Sequence, residues 1–289
     1  MKVLIFGSTG QVGFELQRAF APVAEVIVPP QRINLMDFAG LEKVVADVRP
    51  DLVVNAAAFT AVDTAETERD LATKINAEAP GVLARTAAKC GAGLIHYSTD
   101  YVFGGQGDQP FREDDITGPL NHYGASKLAG EEAVRAANAK HLILRASWIY
   151  AVHGKNFPKT MLRLAKECDV LQVVDDQIGA PTAAELIADA TVHAALRGHY
   201  GTYHLAAAGG TSWYGVANFV LRQAHEAGLI ARVPEIKPIP STQFPTPAQR
   251  PKNSRLSTEK FRRTFGLELP SWQSGITHFV QTLAKAGGW

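Results

Sequence analysis

Tyr123 and Lys127 are the residues whose types and spacing are best suited to chemistry. They lie four positions apart where a segment with helical periodicity begins, so both side chains can point into one cleft. A free tyrosine has a pKa of about 10, and a positive charge nearby favours the phenolate. We therefore expect Lys127 to lower the pKa of Tyr123, so that the phenol exchanges a proton with a carbonyl or an alcohol. The same spacing is common on amphipathic helices, so the surrounding elements must decide between the two interpretations.

A glycine-rich turn near the N-terminus is the first of these elements. The apolar run over residues 2–6 predicts a buried parallel strand, and residues 14–20 predict a helix. The sequence between them is Gly7-Ser-Thr-Gly10-Gln-Val-Gly13. In the order strand, glycine turn, helix, this spacing lets a pyrophosphate approach the backbone at a helix N-terminus. The candidate dinucleotide-binding residues are Gly7, Gly10, Gln11, Val12 and Gly13.

Strands and helices alternate through the first half of the chain. After the strand at 2–6, strands are predicted at 25–28, 52–55, 93–98 and 141–146, and helices near 41–48, 77–89 and 127–137. This order predicts an α/β fold with a Rossmann-type, doubly wound parallel sheet, in which ligands bind beyond the carboxyl ends of the strands. Gly7, Asn55, Ser98 and Ala146 each lie at such an end.

The second half of the chain departs from this rhythm. We predict a dinucleotide-binding domain over residues 1–150 and, mainly within 151–289, a smaller α/β substrate-binding domain. The chain is predicted to return to the first domain near 171–206, through strands at 171–174 and 202–206. Thr182 is a candidate N-cap for a helix that follows. The chain therefore crosses between the two units rather than dividing once.

Five motifs in this order resemble the extended short-chain dehydrogenase/reductase family. They are Gly10-Gln-Val-Gly13, Asn55-Ala-Ala-Ala-Phe-Thr60-Ala-Val-Asp63, Ser98-Thr-Asp100-Tyr-Val-Phe103, Asp176-Gln-Ile-Gly179-Ala-Pro181-Thr182 and Arg250-Pro-Lys-Asn-Ser254-Arg-Leu256. The resemblance covers nearly the whole chain, and it is most specific to the branch that reduces the C4 keto group of dTDP-4-dehydro-β-L-rhamnose. It implies NAD(P)H-dependent formation of dTDP-L-rhamnose, a precursor of cell-surface polysaccharides.

The resemblance also implies roles for residues of the site. Tyr123 would donate a proton to the sugar oxygen, with Thr99 assisting and Lys127 completing the catalytic set. Tyr123 and Lys127 would also hold the nicotinamide ribose. Asp100 would bind a sugar hydroxyl, and Trp148 would lie against the sugar. The simpler explanations are that Ser98-Thr99-Asp100 only forms a turn and that Trp148 only packs in the core.

The cofactor prediction depends on the residues that follow the second strand. An NAD-preferring site places an acid there to bind the ribose 2′-hydroxyl, whereas this chain has Pro29-Pro-Gln-Arg32. Arg32 can pair with a 2′-phosphate, so we expect NADPH, with NADH as the alternative. The simpler explanation for Arg32 is a solvated arginine on the surface. Small residues after the third strand let a nucleotide approach the backbone, and the candidates there are Ala57, Ala58 and Thr60.

Two further residues have a predicted function. Arg250 lies in a proline-rich stretch, where its guanidinium can bind the diphosphate of a dTDP-sugar in a fork. A surface salt bridge is the alternative for Arg250. Asn76 matches an asparagine that helps to arrange the active-site helix in the extended family.

The bulk composition excludes several function classes. Hydrophobic residues make up 46% of the chain and the formal net charge is +1, so no basic excess indicates binding to nucleic acid or to an acidic membrane surface. No apolar run reaches the roughly 18 residues of a membrane span, and no signal-peptide pattern is present. The two cysteines form no disulfide framework, which favours a cytoplasmic location.

A metal and a dimer are further expectations that the resemblance implies. Some members of the family bind Mg²⁺ at a homodimer interface through acids on surface helices, and the candidates here are Glu15, Glu185 and Asp189. Solvated carboxylates are the alternative explanation.

Two other functions stay open. One is an epimerase or dehydratase of the same family, which would retain tightly bound NAD. The other is a non-catalytic regulatory subunit that binds NADP. Such subunits often lose the catalytic pair, whereas this chain has Thr99, Tyr123 and Lys127.

Overall fold

The computed structural model describes residues 1–29 and 33–288 as alternating strands and helices followed by a second group of helices. The strands of the described residues are β1 (Lys2–Phe6), β2 (Glu25–Ile27), β3 (Leu52–Asn55), β4 (Gly93–Thr99), β5 (His141–Ala146), β6 (Ile149–Tyr150), β7 (Val170–Val174), β8 (Ile178–Gly179), β9 (Thr182–Ala183), β10 (Gly201–His204), β11 (Thr211–Ser212) and β12 (Glu235–Ile239). The helices are α1 (Gln11–Phe20), α2 (Phe38–Val48), α3 (Arg69–Thr73), α4 (Ala79–Lys89), α5 (His122–Ala137), α6 (Phe157–Glu167), α7 (Ala184–Ala195), α8 (Trp213–Glu226), α9 (Glu259–Phe265) and α10 (Trp272–Lys285). Arg32, the predicted partner of a 2′-phosphate, lies outside the described residues.

The central sheet is parallel throughout. Within the described residues its six strands have the order β10-β5-β4-β3-β1-β2, which confirms the predicted doubly wound α/β fold. The strands of such a sheet are covered on both faces, which is why β1 reads as an apolar run and β4 is buried along its whole length. The carboxyl ends of the strands form one edge, where the first motifs of the sequence lie.

Alternate residues of each strand face two separate cores. In β1, Val3 and Ile5 pack with residues of α1 and α7, whereas Leu4 and Phe6 pack with residues of α2 and α4. This separation follows from the two-residue period of a strand. The sheet is therefore sandwiched between two helical layers, and α5 joins the second layer through Val134.

A third hydrophobic cluster lies outside the sheet. It joins α6, α8 and α10 to β7 and β12, and its buried members include Leu162, Val220 and Phe279. The strand predicted at 171–174 belongs to this group, because β7 pairs with β12 and not with the central sheet. The return to the sheet therefore begins later than 171, with α7 and β10.

The prediction that Thr182 caps a helix is wrong. The residue before α7 is Ala183, and no side chain caps this helix N-terminus in the described chain. The Thr182 hydroxyl donates instead to the Ala180 carbonyl at 3.0 Å and accepts from the Ala207 N–H at 3.2 Å. Thr182 thus joins two loops that are distant in sequence.

No helix of the described part of the chain is both long and apolar enough to cross a lipid bilayer.

Candidate active site

Helix α5 carries Tyr123 and Lys127 and is fixed closely to its neighbours. Asn121 caps it, with its side-chain oxygen accepting from the Gly124 N–H at 2.8 Å. A Cβ at Gly124 would lie 2.2 Å from the Tyr101 carbonyl, and one at Gly130 would lie 2.1 Å from the Asn76 carbonyl. Glycine is therefore required at both positions for the helix to approach the backbone this closely.

An asparagine helps to support the same helix. Asn76 is fully buried in a single π-helical turn, Lys74–Glu78. Its amide donates to the Ser126 hydroxyl on α5 at 3.0 Å and to the Phe59 carbonyl at 3.0 Å, while its oxygen accepts from the Phe59 N–H at 2.8 Å. These bonds join α5 to the loop after β3, and single π-helical turns are frequent at functional sites.

A buried ion pair fastens α5 to the sheet. Glu131 accepts two hydrogen bonds from Arg145 of β5, each 2.8 Å long, and Arg135 of its own helix lies 3.0 Å away. The bidentate geometry compensates for the removal of both charges from water.

Tyr123 lies beside Thr99 and Asp100 at the carboxyl end of β4. The Thr99 hydroxyl donates to Asp100 Oδ1 at 3.0 Å and accepts from the Tyr101 N–H at 3.2 Å. Burial raises the pKa of Tyr123 to about 12 and the charge of Asp100 adds to the effect, whereas a hydrogen bond with Thr99 opposes it. The phenol is therefore protonated at neutral pH and can act as a proton donor.

The expectation that Lys127 lowers the pKa of Tyr123 is wrong for this structure. Lys127 is 2% exposed, and its ammonium group donates to the Tyr97 carbonyl at 2.6 Å rather than facing the phenol. Burial lowers the pKa of Lys127 to about 8. The Lys127 ammonium group is directed at β4, and burial is the main cause of the raised pKa of Tyr123.

Asp100 is a buried carboxylate whose hydrogen bonding is incomplete. It is 3% exposed, and its Oδ2 has no hydrogen-bond partner among the described residues. Burial raises the pKa of Asp100 to about 6, with interactions with the Ser254 hydroxyl and then the Thr99 hydroxyl opposing the shift. An acceptor held in this way suits a hydroxyl group of a ligand.

The raised pKa of Asp100 makes the stability of the fold depend on pH. Because the folded-state pKa is raised, ionising Asp100 destabilises the fold progressively as pH rises from about 4 through about 6. Asp100→Asn removes this penalty and should increase the free energy of unfolding by up to about 3 kcal/mol at pH 8, with no gain at pH 4. Urea unfolding at the two pH values measures this difference.

Asp114 provides the control for that experiment, because it is exposed. Asp114→Asn should change stability by less than about 0.5 kcal/mol at either pH. An equal effect of Asp100→Asn at pH 4 and pH 8 would contradict the role assigned to burial.

The glycine turn packs directly against the loop that follows β3. Gly7 has φ of 80°, and a Cβ there would lie 2.5 Å from the Ala57 nitrogen. A Cβ at Gly13 would lie 2.0 Å from the Gly7 carbonyl oxygen, whereas one at Gly10 would meet that oxygen only at 3.3 Å. Gly7 and Gly13 therefore set the shape of the turn and bring Ala57 next to it.

The remaining candidates around the turn differ in exposure. The side chain of Val12 belongs to the apolar core, so only its main chain faces the turn. Gln11 accepts a hydrogen bond from Asn156 at 2.9 Å, a contact that nothing in the sequence indicated. Ala58 is half-buried and Thr60 is exposed beyond the end of β3.

Trp148 has an unusual conformation and an aromatic partner. Its φ of 47° is rare for a residue other than glycine, and its ring stacks on Trp213 with centroids 3.6 Å apart. The Trp213 indole donates to Gln177 at 3.2 Å. Trp213 lies 65 positions from Trp148, and no pattern in the sequence paired them.

Arg250 forms an ion pair close to the tyrosines of the site. Its guanidinium binds both oxygens of Asp63, at 2.8 and 3.0 Å. It also interacts with Tyr101, whose ring meets that of Tyr123 edge-on at 6.0 Å. The salt bridge considered for Arg250 is thus present, and the guanidinium also interacts with Tyr101, the neighbour of Tyr123.

The three acids considered for Mg²⁺ do not form a cluster. Arg18 lies between two of them, at 3.0 Å from Glu15 and 2.7 Å from Asp189, while Glu185 faces His278 at 3.2 Å. Among the described residues no group of three His, Cys, Asp or Glu side chains is arranged to hold a metal.

The chain matches one family model over nearly its whole length. Residues 1–285 match the model of the family described as RmlD substrate binding domain. A dTDP-4-dehydrorhamnose reductase of Escherichia coli (strain K12) is 50% identical over 295 residues, covering 98% of each chain. A crystal structure of a dTDP-4-dehydrorhamnose reductase from Clostridium acetobutylicum is 37% identical with a TM-score of 0.93, covering 98% of this chain and 99% of that one. A dTDP-4-dehydrorhamnose reductase from Bacillus anthracis in complex with NADP is 35% identical with a TM-score of 0.91, covering 96% and 99%.

Proposed function

Because this chain belongs to the RmlD substrate binding domain family, we propose that it is an NADPH-dependent reductase that converts dTDP-4-dehydro-β-L-rhamnose into dTDP-L-rhamnose. The observation that carries the proposal is the arrangement at the end of β4, where the protonated phenol of Tyr123 adjoins Thr99 and Asp100. Such a group can protonate an oxyanion while a neighbouring carboxylate holds a hydroxyl of the same sugar.

The N-terminus of α1 fits the pyrophosphate of the cofactor. In the described chain this helix has no side-chain cap and no acidic residue in its first turn, so its free N–H groups are available to an anion. Gly7 and Gly13 keep side chains out of the turn, and Ala57 borders it. When bound, the nicotinamide supplies the hydride that reduces the C4 carbonyl.

The chain's own residues then have distinct roles. Tyr123 donates its proton to the C4 oxygen, and Thr99 hydrogen-bonds with the phenol. Asp100 Oδ2 accepts a hydrogen bond from a sugar hydroxyl. Lys127 holds the nicotinamide ribose together with Tyr123, and Trp148 packs against the sugar ring.

The loss of nicotinamide absorbance tests this proposal. The substrate would be generated from dTDP-glucose by the two preceding enzymes of the pathway, and NADPH and NADH would be compared. We expect consumption only with all components present, and faster with NADPH. No consumption by protein that still binds NADPH would indicate another nucleotide sugar or a regulatory subunit, and purified protein with tightly bound NAD would indicate an epimerase or dehydratase.

Arg250 provides a separate prediction about the substrate. If the Arg250 guanidinium binds the diphosphate, Arg250→Gln should raise the KM for the dTDP-sugar about tenfold. This is the effect of losing one charge-assisted hydrogen bond. The affinity for NADPH should not change. Arg232→Gln is the matched control, because Arg232 pairs with Asp169 at an exposed site. An unchanged KM in Arg250→Gln would show that Arg250 does not bind the substrate and serves only to pair with Asp63.

We further propose a cytoplasmic homodimer and the domain division at residue 150. The surface formed by α1 and α7 carries Glu15 and Asp189 and is a candidate interface. Light scattering with and without EDTA tests whether two copies associate there and whether Mg²⁺ is needed. Dissociation by EDTA supports a metal-dependent dimer, and an indifferent dimer excludes it.

A further inference from the structure

The side chain of Asn156 joins the third hydrophobic cluster to the cofactor turn. Asn156 is the N-cap of α6, a helix of that cluster, and Gln11 is the first residue of α1. Asn156 Nδ2 donates to Gln11 Oε1 at 2.9 Å, although the two residues lie 145 positions apart in the chain. The reaction described above assigns no role to Asn156.

The backbone around Asn156 fixes which way its amide faces. The Lys159 N–H can only donate, and it lies 3.1 Å from Asn156 Oδ1, so this oxygen is the acceptor that caps α6. The Ala151 carbonyl can only accept, and it lies 2.7 Å from Asn156 Nδ2. Exchanging the oxygen and the nitrogen of Asn156 would therefore break two hydrogen bonds to the main chain. The NH₂ group of Asn156 is thus the end that faces Gln11.

The orientation of Asn156 in turn fixes that of Gln11. An NH₂ group only donates, so the atom of Gln11 that it meets must be the amide oxygen. The NH₂ group of Gln11 is then the free end of the side chain. It has no hydrogen-bond partner within residues 1–29 and 33–288. Two N–H donors are therefore held at the first residue of α1.

The loop before α6 restrains the same side chain. Gly154 has a φ of 74°, and a Cβ there would lie 3.1 Å from Gln11 Cγ and 3.7 Å from its Cδ. The loop therefore packs against the methylene part of Gln11 and limits its rotamers on that side. Gln11 is only half-buried, which leaves part of the side chain open to a ligand.

The charges at this end of α1 favour an anion as that ligand. The first turn contains no acid, and Glu15, the acid further along the helix, is bound by Arg18 at 3.0 Å. Main-chain N–H groups and the positive end of the helix dipole attract an anion to the same place. The NH₂ group of Gln11 adds side-chain donors to these main-chain donors.

We propose that Asn156 is a positioning residue that fixes the side-chain amide of Gln11, with its NH₂ group free to donate to the pyrophosphate of the cofactor. The inference rests on the proposed function, which assigns the pyrophosphate to the N-terminus of α1. Because Asn156 also caps α6, the same side chain connects the cofactor turn to the unit proposed to bind the sugar nucleotide.

Titration of the full-length protein with NADPH, followed by the fluorescence of the cofactor, tests the proposal. Asn156→Ser keeps an oxygen that caps α6 but loses the donor to Gln11, so the amide of Gln11 can rotate. The Kd for NADPH should rise about threefold, the effect of immobilising one side chain. Asn156→Asp also keeps the cap, but its acceptor turns the NH₂ group of Gln11 away from the pyrophosphate. The Kd should then rise about tenfold or more, as expected for the loss of a hydrogen bond to a charged group.

Gln11→Ala separates these effects from that of the negative charge that Asn156→Asp adds. Alone, Gln11→Ala should raise the Kd for NADPH about tenfold. Combined with Gln11→Ala, Asn156→Ser should have no further effect, and Asn156→Asp should keep only the smaller effect of its charge. Equal effects of the Asn156 substitutions with and without the Gln11 side chain would overturn the proposal.

Ser271→Ala is the control for a weakened helix cap. Ser271 caps α10, another helix of the third hydrophobic cluster, by accepting from the Ser274 N–H at 3.2 Å. Removing this cap should leave the Kd for NADPH unchanged. A loss of affinity in Ser271→Ala equal to that in Asn156→Ser would overturn the proposal, because any weakened cap in the cluster would then have the same effect.

Exchange of side-chain amide protons in ¹⁵N-labelled protein tests the orientation without the cofactor. The NH₂ protons of Asn156 should exchange slowly with solvent, and those of Gln11 should exchange fast until NADPH is added. The signals are identified by their loss in Asn156→Ser and Gln11→Ala. Fast exchange at Asn156 and slow exchange at Gln11 in the free protein would contradict the proposed orientation.

The same titrations distinguish failure of this inference from failure of the proposed function. Wild-type protein that binds no NADPH would overturn the proposed function, and the inference with it. Wild-type protein that binds NADPH, with an unchanged Kd in Asn156→Asp and Gln11→Ala, would overturn the inference alone.

Discussion

Tyr123→Phe should lower kcat by about 10²- to 10⁴-fold, the usual contribution of a general acid, while the protein still binds NADPH. Phenylalanine retains the ring that meets Tyr101 edge-on and removes the phenol that interacts with Thr99. Because the pKa of Tyr123 is raised to about 12, the wild-type phenol is protonated throughout the neutral range. Steady-state turnover and fluorescence titration with NADPH separate the two effects.

The control for Tyr123→Phe is another buried tyrosine. Tyr203 is 5% exposed, and its hydroxyl donates to the Tyr200 carbonyl at 3.3 Å on the edge strand β10. Tyr203→Phe should keep kcat within about threefold of the wild type, since β5 separates its strand from β4 and its hydroxyl bonds to Tyr200 instead. Activity of Tyr123→Phe within the same range would remove Tyr123 from the mechanism.

Gly13→Ala should weaken NADPH binding at least about 100-fold and destabilise the fold by about 3 kcal/mol or more. The added Cβ would lie 2.0 Å from the Gly7 carbonyl oxygen and 2.6 Å from its carbon. Gly7 cannot move away from the added Cβ, because it already packs closely against the backbone of Ala56 and Ala57. The turn that receives the pyrophosphate must therefore open.

Urea unfolding and NADPH titration measure both consequences of Gly13→Ala. Gly118→Ala is the control, because a Cβ there meets nothing within 4 Å among the described residues and the backbone is not left-handed. It should change stability by no more than about 0.5 kcal/mol and leave NADPH binding intact. Native stability and affinity in Gly13→Ala would show that the turn is not the cofactor site.

The central sheet could be predicted from the sequence because its strands are buried on both faces. β1, β3, β4 and β5 are short apolar runs ended by small or polar residues, and the structure has each within one residue of the predicted bounds. Parallel strands place their carboxyl ends on one edge, so the sequence alone predicts that Gly7, Asn55, Ser98 and Ala146 lie along that edge.

Pairings distant in sequence could not be predicted in this way. β7 was assigned as a strand, but its partner β12 begins 65 positions later and is rich in polar residues. The stacking of Trp148 on Trp213 depends on a left-handed backbone at Trp148 that local preference disfavours. Tertiary packing decided both cases.

The direction of Lys127 was the main error at the site. Helical spacing placed Lys127 on the face of Tyr123, but spacing does not specify which acceptor a long side chain reaches. The histidine in the middle of the apolar run of β4 was a signal that the sequence did offer. A polar residue inside a buried strand requires a buried partner, and His96 has Asn55 and Lys127.

Transfer of deuterium tests the central claim of a C4 reduction most directly. NADPH deuterated at the transferred position of the nicotinamide would be supplied with dTDP-4-dehydro-β-L-rhamnose, and the sugar nucleotide product analysed by NMR. We predict dTDP-L-rhamnose with deuterium at C4 and at no other carbon. A product without deuterium, or with deuterium elsewhere on the sugar, would contradict the reduction of the C4 carbonyl by this protein.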